Sequence, residues 1–546
     1  ADYVDAYNNL GVVCVAKGNV DAAIEYYNQA LHIDANNADF YNNMGSAYIK
    51  KGNLDYAITT FKRLLSISPK FAPAYINMGN TFKERGNSVV SEINYFRAIC
   101  LGSDDIHACC NMGILYQEKG NSSEALKWYE RAFSESNRVE CSKSSRKIWG
   151  LCIFGRSGSL FFQSLLDGHP DLATIPGVYF KGWFGPDVWS FFEPNFNNAN
   201  WRITLANKII DNYGALFDAH SRKNVIGQPF GPQAWLSKSS GFYEMGDKRE
   251  DIFQLDVSKF RETFLDLIQG RDEIDQVSCF DLIHDAFDLS YREVAVPKSL
   301  DRRTILYHIH NPTVPEFMGF WKSYPKAQLL YIVRNPVQSL ESWFTDDFDL
   351  SFESWRKMPR KFRGMIFTLL SPFHRENSWG VRLEDIKESP EIMIPSIAKL
   401  LGTKDHPSLY KSEFCGTKYW GPSSKTTGPI SGFDTASIDQ PIGRLFGERD
   451  IKIFETLFWP FSDRYGYTQV GLGDFKIQLS EIRPWLEEPL QFERQLYETL
   501  SSKEQPLEEL DQYKALHNYM IVCWNILNEE HTYNGIMQPY NIRTNG

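Results

Sequence analysis

Between Ile148 and Pro170 the chain reads Ile-Trp-Gly-Leu-Cys-Ile-Phe, then Gly155-Arg156-Ser157-Gly158-Ser159, then an apolar stretch from Leu160 to Leu166, then Asp-Gly-His-Pro. A buried strand, a glycine turn and a helix in that order make a phosphate cradle, because the turn's backbone N–H groups and the positive end of the helix dipole face one point. The turn does not follow the nucleoside-triphosphatase pattern, which places Lys and then Ser or Thr after its second glycine. Here Arg156 precedes Gly158, so kinase and GTPase chemistry are disfavoured. A second apolar run, Lys326 to Val333, ends in Arg334-Asn-Pro and has Ser342 eight residues after the arginine. A third, Thr304-Ile-Leu-Tyr-His308-Ile-His310-Asn-Pro, sets two imidazoles on one face of a strand by alternation. An imidazole with a pKa near ~6.5 suits a base at neutral pH.

The run Arg-Ser-Gly-Ser-x-Phe, followed by a helix and His-Pro, resembles the 5′-phosphosulfate loop of the sulfotransferases that use 3′-phosphoadenosine 5′-phosphosulfate (PAPS). The strand ending in Arg334-Asn-Pro resembles that family's 3′-phosphate element. Val381-Arg-Leu-Glu384-Asp385 is similar to its Y-E-D-L segment, with Leu383 in place of the tyrosine, and Ile442-Gly-Arg-Leu with the stretch to Tyr465-Gly-Tyr467 is similar to its closing helix. The resemblance spans about residues 146–467, with an aromatic-rich insertion at 178–300. It implies a P-loop-like α/β domain with a central parallel sheet, and PAPS as co-substrate with no metal. It further implies that Arg156, Ser157, Gly158 and Ser159 hold the phosphosulfate, Arg334 and Ser342 the 3′-phosphate, and Phe161 the adenine. Lys425, in Ser423-Ser-Lys-Thr-Thr-Gly428, falls where the family closes a loop over the 3′-phosphate. One departure stands out: Leu160 occupies the loop's second hydroxyl position.

In sulfuryl transfer an acceptor hydroxyl attacks in line while charge builds on the oxygen that bridges sulfate to the departing nucleotide. The protein supplies a base and a cation. The resemblance assigns the cation to Arg156 and the base to His310, with His308 in the place of the family's lysine in K-T-H-L-P. The glutamate that other members use as base would fall near Pro176 and Gly177 and is missing. An acid in the insertion, such as Glu193, is the fallback.

Ahead of these elements lies a periodic array. Gly11, Gly45, Gly79 and Gly113 are 34 residues apart, as are Gly18, Gly52, Gly86 and Gly120. Ala23, Ala57 and Ala125 recur with Tyr27, Phe61, Tyr95 and Tyr129, and Ser91 replaces the third alanine. Each unit reads as two helices, and residues 1–139 resemble four tetratricopeptide repeats, which stack into an α-solenoid with a concave groove. Asn9, Asn43, Asn77 and Asn111 repeat on the first helices as an asparagine ladder. Such amides either clamp an extended peptide backbone, as in the protein-modifying glycosyltransferases this ladder resembles, or bond to the next repeat and fix the stack.

At 546 residues the chain must divide into domains. Its 58 basic and 68 acidic residues leave a net charge of −10, which argues against a nucleic-acid or anionic-membrane coat. No apolar run approaches the ~20 residues of a membrane span. Nine scattered cysteines without C-x-x-C spacing disfavour zinc and a disulfide framework. The opening Ala-Asp-Tyr-Val-Asp has no leader character, so a cytoplasmic location is expected; Ala1 lies inside a repeat, as in a chain cut short at its amino terminus. Trp183, Trp189, Trp201 and Trp235 in the insertion serve either an acceptor pocket or the core of a helical cap. Residues 468–546 read as a helical extension. The expected function is a sulfotransferase whose repeats recruit a protein, peptide or carrier-bound hydroxyl. A small-molecule sulfotransferase and a catalytically impaired repeat scaffold stand as alternatives.

Overall fold

The computed structural model describes residues 2–102, 106–119, 121–132, 146–153, 158–177, 180, 182–185, 188–219, 242–291, 303–309, 314–347, 358–359, 361–362, 364–365, 378–420, 433–435, 438–494, 498, 510–528 and 538–539.

The first part is a helical solenoid of eight antiparallel helices: α1 (Asp2–Ala16), α2 (Val20–Ile33), α3 (Ala38–Lys51), α4 (Leu54–Ile67), α5 (Ala72–Glu84), α6 (Ser88–Gly102), α7 (Ile106–Glu118) and α8 (Ser122–Ala132). The 34-residue spacing of the first glycines has a steric cause. A Cβ at Gly11, Gly45, Gly79 or Gly113 would lie 2.2–2.5 Å from the ring of Tyr27, Phe61, Tyr95 or Tyr129, so the two helices of each unit close only over a hydrogen. Each second helix is capped by the asparagine after the second glycine: Asn19, Asn53, Asn87 and Asn121 accept from the backbone N–H three residues on, at 3.1–3.2 Å. Ser91 departs from alanine without cost because its buried hydroxyl donates to the Gly79 carbonyl at 2.8 Å.

The second part is built on a parallel sheet. Its strands are β1 (Ile148–Ile153), β2 (Leu172–Thr174), β3 (Thr304–Ile309), β4 (Gln328–Val333), β5 (Ser378–Arg382) and, at the far edge, β8 (Gln538–Pro539), in the order β2-β3-β1-β4-β5-β8. A small hairpin, β6 (Glu413–Phe414) and β7 (Thr417–Lys418), stands apart from it. The strands are continuous apolar runs because both faces are covered. On one face Trp149, Leu151, Leu306, Leu330 and Ile332 pack against α9 (Ser159–Leu166), α16 (Leu383–Glu388) and α17 (Pro390–Leu401). On the other, Cys152, Ile305, Tyr307, Leu329, Tyr331 and Val333 meet α10 (Val188–Phe192), α11 (Trp201–Asn212), α12 (Val257–Ile268), α13 (Gln276–Tyr291), α14 (Val314–Ser323) and α15 (Pro336–Asp347). Trp183, Trp189 and Trp201 are buried in this second layer, so these three form core; Trp235 lies outside the described residues.

At the amino ends of the strands, α13 anchors two neighbours by buried ion pairs. Asp285 takes Arg146, just before β1, in two bonds of 2.7 and 2.8 Å, and Asp288 pairs with Arg303, just before β3. The carboxy-terminal segment shares the same core. It comprises α18 (Glu448–Leu457), α19 (Trp459–Arg464), α20 (Leu472–Ile482) and α21 (Leu510–Asn528), whose Leu516, Met520, Cys523 and Leu527 are buried with the sheet layer. The described residues beyond 467 are therefore continuous with the α/β body, and β8 extends its sheet through pairing of Trp379 with Gln538. The solenoid touches that body where α7 packs on α14 and where the turn at Gly86 meets Asn518 of α21.

Candidate functional site

The strand order brings the three expected site segments to one place. β1 lies between β3 and β4, with Cys152 opposite Ile309 and Ile153 opposite Ile332, so the chain leaves β3, β1 and β4 side by side at the carboxyl edge. The connections leave in opposite directions there, β1 toward β2 and β4 toward β5. Open parallel sheets bind ligands at such a switch point.

From β1 the chain reaches Gly158, whose φ of 77° is open to glycine and which caps α9; a Cβ there would lie 2.9 Å from the Leu383 methyl carbons. Ser159 opens the helix, giving a helix amino terminus aimed along the sheet edge. Arg156 and Ser157, expected on the turn itself, lie outside the described residues, as do His310 and Lys425. From β4 the chain passes into Arg334, which is buried and donates through Nε to Gln338 Oε1 at 2.8 Å. Asn335 then caps α15, accepting from Val337 and Gln338 N–H at 3.1 Å. Ser342 is half-buried farther along α15, with its carbonyl accepting from Thr345.

Glu384 stood only within the segment similar to Y-E-D-L, and Gln338, Glu341 and Lys387 carried no signal of their own in the sequence. Glu384 accepts from Asn335 N–H at 3.3 Å through one oxygen and from the Tyr467 hydroxyl at 2.7 Å through the other, which ties the turn after Arg334 to the segment closing the domain. Gln338 donates onward to the carbonyls of Ile438, at 2.9 Å, and Gln440. Glu341, fully buried, accepts from the backbone N–H groups of Gly443, Leu445 and Phe446 at 2.8–3.2 Å. Lys387 is buried as well; its ammonium donates to the Asp434 carbonyl at 2.6 Å and lies 4.7 Å from the centre of the Phe161 ring. The same ring meets Phe433 edge-on at 5.7 Å. Phe161 thus sits among site elements, with one face already facing a cation.

His308 belongs to the interior. Its Nδ1 lies 3.2 Å from Gln163 Oε1 of α9, and burial pushes the imidazole down to about 4 against the opposing Gly177 backbone. It is neutral at pH 7 and orients the end of β3. Glu193 is exposed just past α10. Chemically, two buried cations, a helix amino terminus and aromatic rings at one sheet edge fit a polyanion that carries an aromatic base.

In the solenoid the ladder amides reach between repeats. Asn43 Nδ2 donates to Asn8 at 3.0 Å and Asn77 Nδ2 to Asn42 at 2.9 Å. The equivalent acceptor in the third unit is Ile76, and Asn111 turns instead to Asn80, one helical turn on, at 3.2 Å. Asn9, in the first unit, is exposed. These bonds fix the stack.

Among the described residues no helix is long and apolar enough to cross a membrane. Residues 11–52 and 45–86 match the family described as TPR repeat, and residues 106–137 match the one described as tetratricopeptide repeat. Among solved structures, a crystal structure of MamA is 25% identical over 24% of this chain and 76% of its own length, with a TM-score of 0.22. A structure from a functional characterization of Pseudomonas aeruginosa pilF is 19% identical over 25% of this chain and 63% of its own, with a TM-score of 0.23. A comparison of the chain with curated protein sequences gives no match. The amino-terminal region therefore carries tetratricopeptide repeats, which suggest a protein-interaction scaffold, joined to an α/β region with a central parallel sheet.

Proposed function

We propose that this protein is a PAPS-dependent sulfotransferase whose repeats recruit a protein or peptide hydroxyl acceptor. The observation that carries the reading is the adjacency of β3, β1 and β4 at the carboxyl edge, with Arg334 buried at the end of β4 and Gly158 capping α9 after β1. In this reading Gly158, Ser159 and the α9 amino terminus hold the 5′-phosphosulfate together with Arg156 and Ser157. Arg334 and Ser342 take the 3′-phosphate, and Lys425 closes over it. PAPS supplies the sulfuryl group; Arg156 stabilises the departing oxygen and His310 removes the acceptor proton. His308 acts as a neutral support through Gln163. Phe161 lies beside the base, and the repeats supply the acceptor surface.

Calorimetry with 3′-phosphoadenosine 5′-phosphate tests the nucleotide half of this reading. Binding that is lost in Arg334→Ala supports it. Absence of binding by the wild-type chain leaves a repeat scaffold without enzymatic function.

A further inference from the structure

Lys387 is a buried charge that the expected roles do not use. It lies in α16, four residues after the Leu383 that packs against Gly158, and its ammonium is withdrawn from solvent. Its one hydrogen-bond acceptor among the described residues is a backbone carbonyl, that of Asp434, which leaves two N–H groups of the ammonium for another acceptor. The aromatic face of Phe161 supports the charge from one side. Arg334 is tied through Gln338 to the Ile438 carbonyl, four residues beyond the Asp434 that takes Lys387, and its charge opposes that of the ammonium. A buried ammonium whose acceptor is a neutral carbonyl is costly unless an anion joins it.

We propose that Lys387 is a phosphate-binding residue, a further cation of the nucleotide site, donating to the same polyanion as Arg334. The inference rests on the nucleotide reading above and adds to it a residue and a pH dependence. Among the described residues the charged groups around Lys387 are few. Arg334 faces it from the end of β4 and Asp434 from the segment that covers Phe161. On its own helix Glu384 is engaged with Asn335 and Tyr467, Asp385 lies 3.6 Å from Arg382 of β5, and Glu388 is exposed. On α17, Glu391 and Lys399 are exposed. Burial pushes the ammonium down to about 8, with Asp434 working against the shift and Arg334 with it. Only the protonated amine attracts an anion. Affinity is therefore full below that value and falls as pH rises through it, by about tenfold per pH unit where the neutral form contributes nothing.

Calorimetry of the full chain with 3′-phosphoadenosine 5′-phosphate, from pH 6.5 to 9.5 and in two buffers of different ionisation enthalpy, reads this directly. The expected result is a fall in affinity above about pH 8, with uptake of up to about half a proton per nucleotide at pH 8. At pH 7 Lys387→Met should bind about tenfold or more weakly with no proton uptake, while Lys387→Arg should keep its affinity up to pH 9.5. The wild-type profile needs no variant, so a misfolded substitution does not block the test. Wild-type affinity that is level from pH 6.5 to 9.5, with Arg334→Ala still abolishing binding, overturns the role of Lys387 and leaves the nucleotide reading standing. No wild-type binding at any pH overturns both.

Discussion

The Tyr467 hydroxyl donates to Glu384 at 2.7 Å, across 83 residues of sequence, and Glu384 uses its other oxygen on the Asn335 amide next to Arg334. Arg382 lies over the Tyr467 ring at 4.7 Å and completes the brace. The bond holds the end of β4 and the start of α15 against the closing segment, so its function is to keep Arg334 in one orientation. Tyr467→Phe is expected to destabilise the chain by about 1–2 kcal/mol in urea unfolding, since it strips a donor from a partly buried carboxylate. Affinity for 3′-phosphoadenosine 5′-phosphate should fall with it. Glu384→Gln, which retains an acceptor for one of the two bonds, should lose less on both measures.

The asparagine ladder separates two roles by position. Asn43, Asn77 and Asn111 each donate to a side chain in the preceding unit, so replacing any of them by Ala should cost about 0.5–1.5 kcal/mol in the unfolding of the repeat array. Asn9 is exposed in the first unit, and Asn9→Ala should change stability by less than about 0.5 kcal/mol. Thermal unfolding of the four single variants checks the pattern; equal losses at all four positions would contradict it.

Two buried histidines give stability opposite pH dependences. His308 falls to about 4 in the fold from an ordinary value near 6.5, so its contribution is complete above pH 6.5 and is lost as pH falls toward 4, on the order of 3 kcal/mol in all. At His517 burial opposes the charge, but the Glu493 carboxylate at 2.9 Å outweighs it and raises the imidazole above its usual value. Its contribution is therefore present below pH 6.5 and lost as pH rises through the folded value. Urea unfolding at pH 5 and pH 7.5 should show His308→Gln less sensitive to acid than the wild type. His517→Gln should lose more at pH 5 than at pH 7.5.

What was legible in the sequence follows from distance along the chain. The repeats repeat a local packing problem: Gly79 and Tyr95, sixteen residues apart, meet in one helical pair, and the pattern recurs four times. The strands at 148, 304 and 328 were legible as apolar runs, and the starts of α9 and α15 as Gly158 and as the Asn335-Pro336 after Arg334. Partners separated by long stretches left no trace. Arg146, in the Ser-, Lys- and Arg-rich run from Ser142 to Lys147, is buried on Asp285, 139 residues away. Lys387, two residues past Asp385, drew no reading of its own, and its burial depends on Phe161 and Asp434 arriving from elsewhere. The tail read as helical throughout, and β8 was missed because it becomes a strand only by pairing with β5.

The most direct test of the central claim is transfer of radiolabelled sulfate from PAPS by the full chain into a lysate separated into protein and small-molecule fractions. Label entering protein, abolished by Arg334→Ala and reduced when Asn9, Asn43, Asn77 and Asn111 are all replaced by Ala, is the result the account predicts. Label confined to small molecules would contradict the protein acceptor, and no label in either fraction would contradict sulfuryl transfer itself.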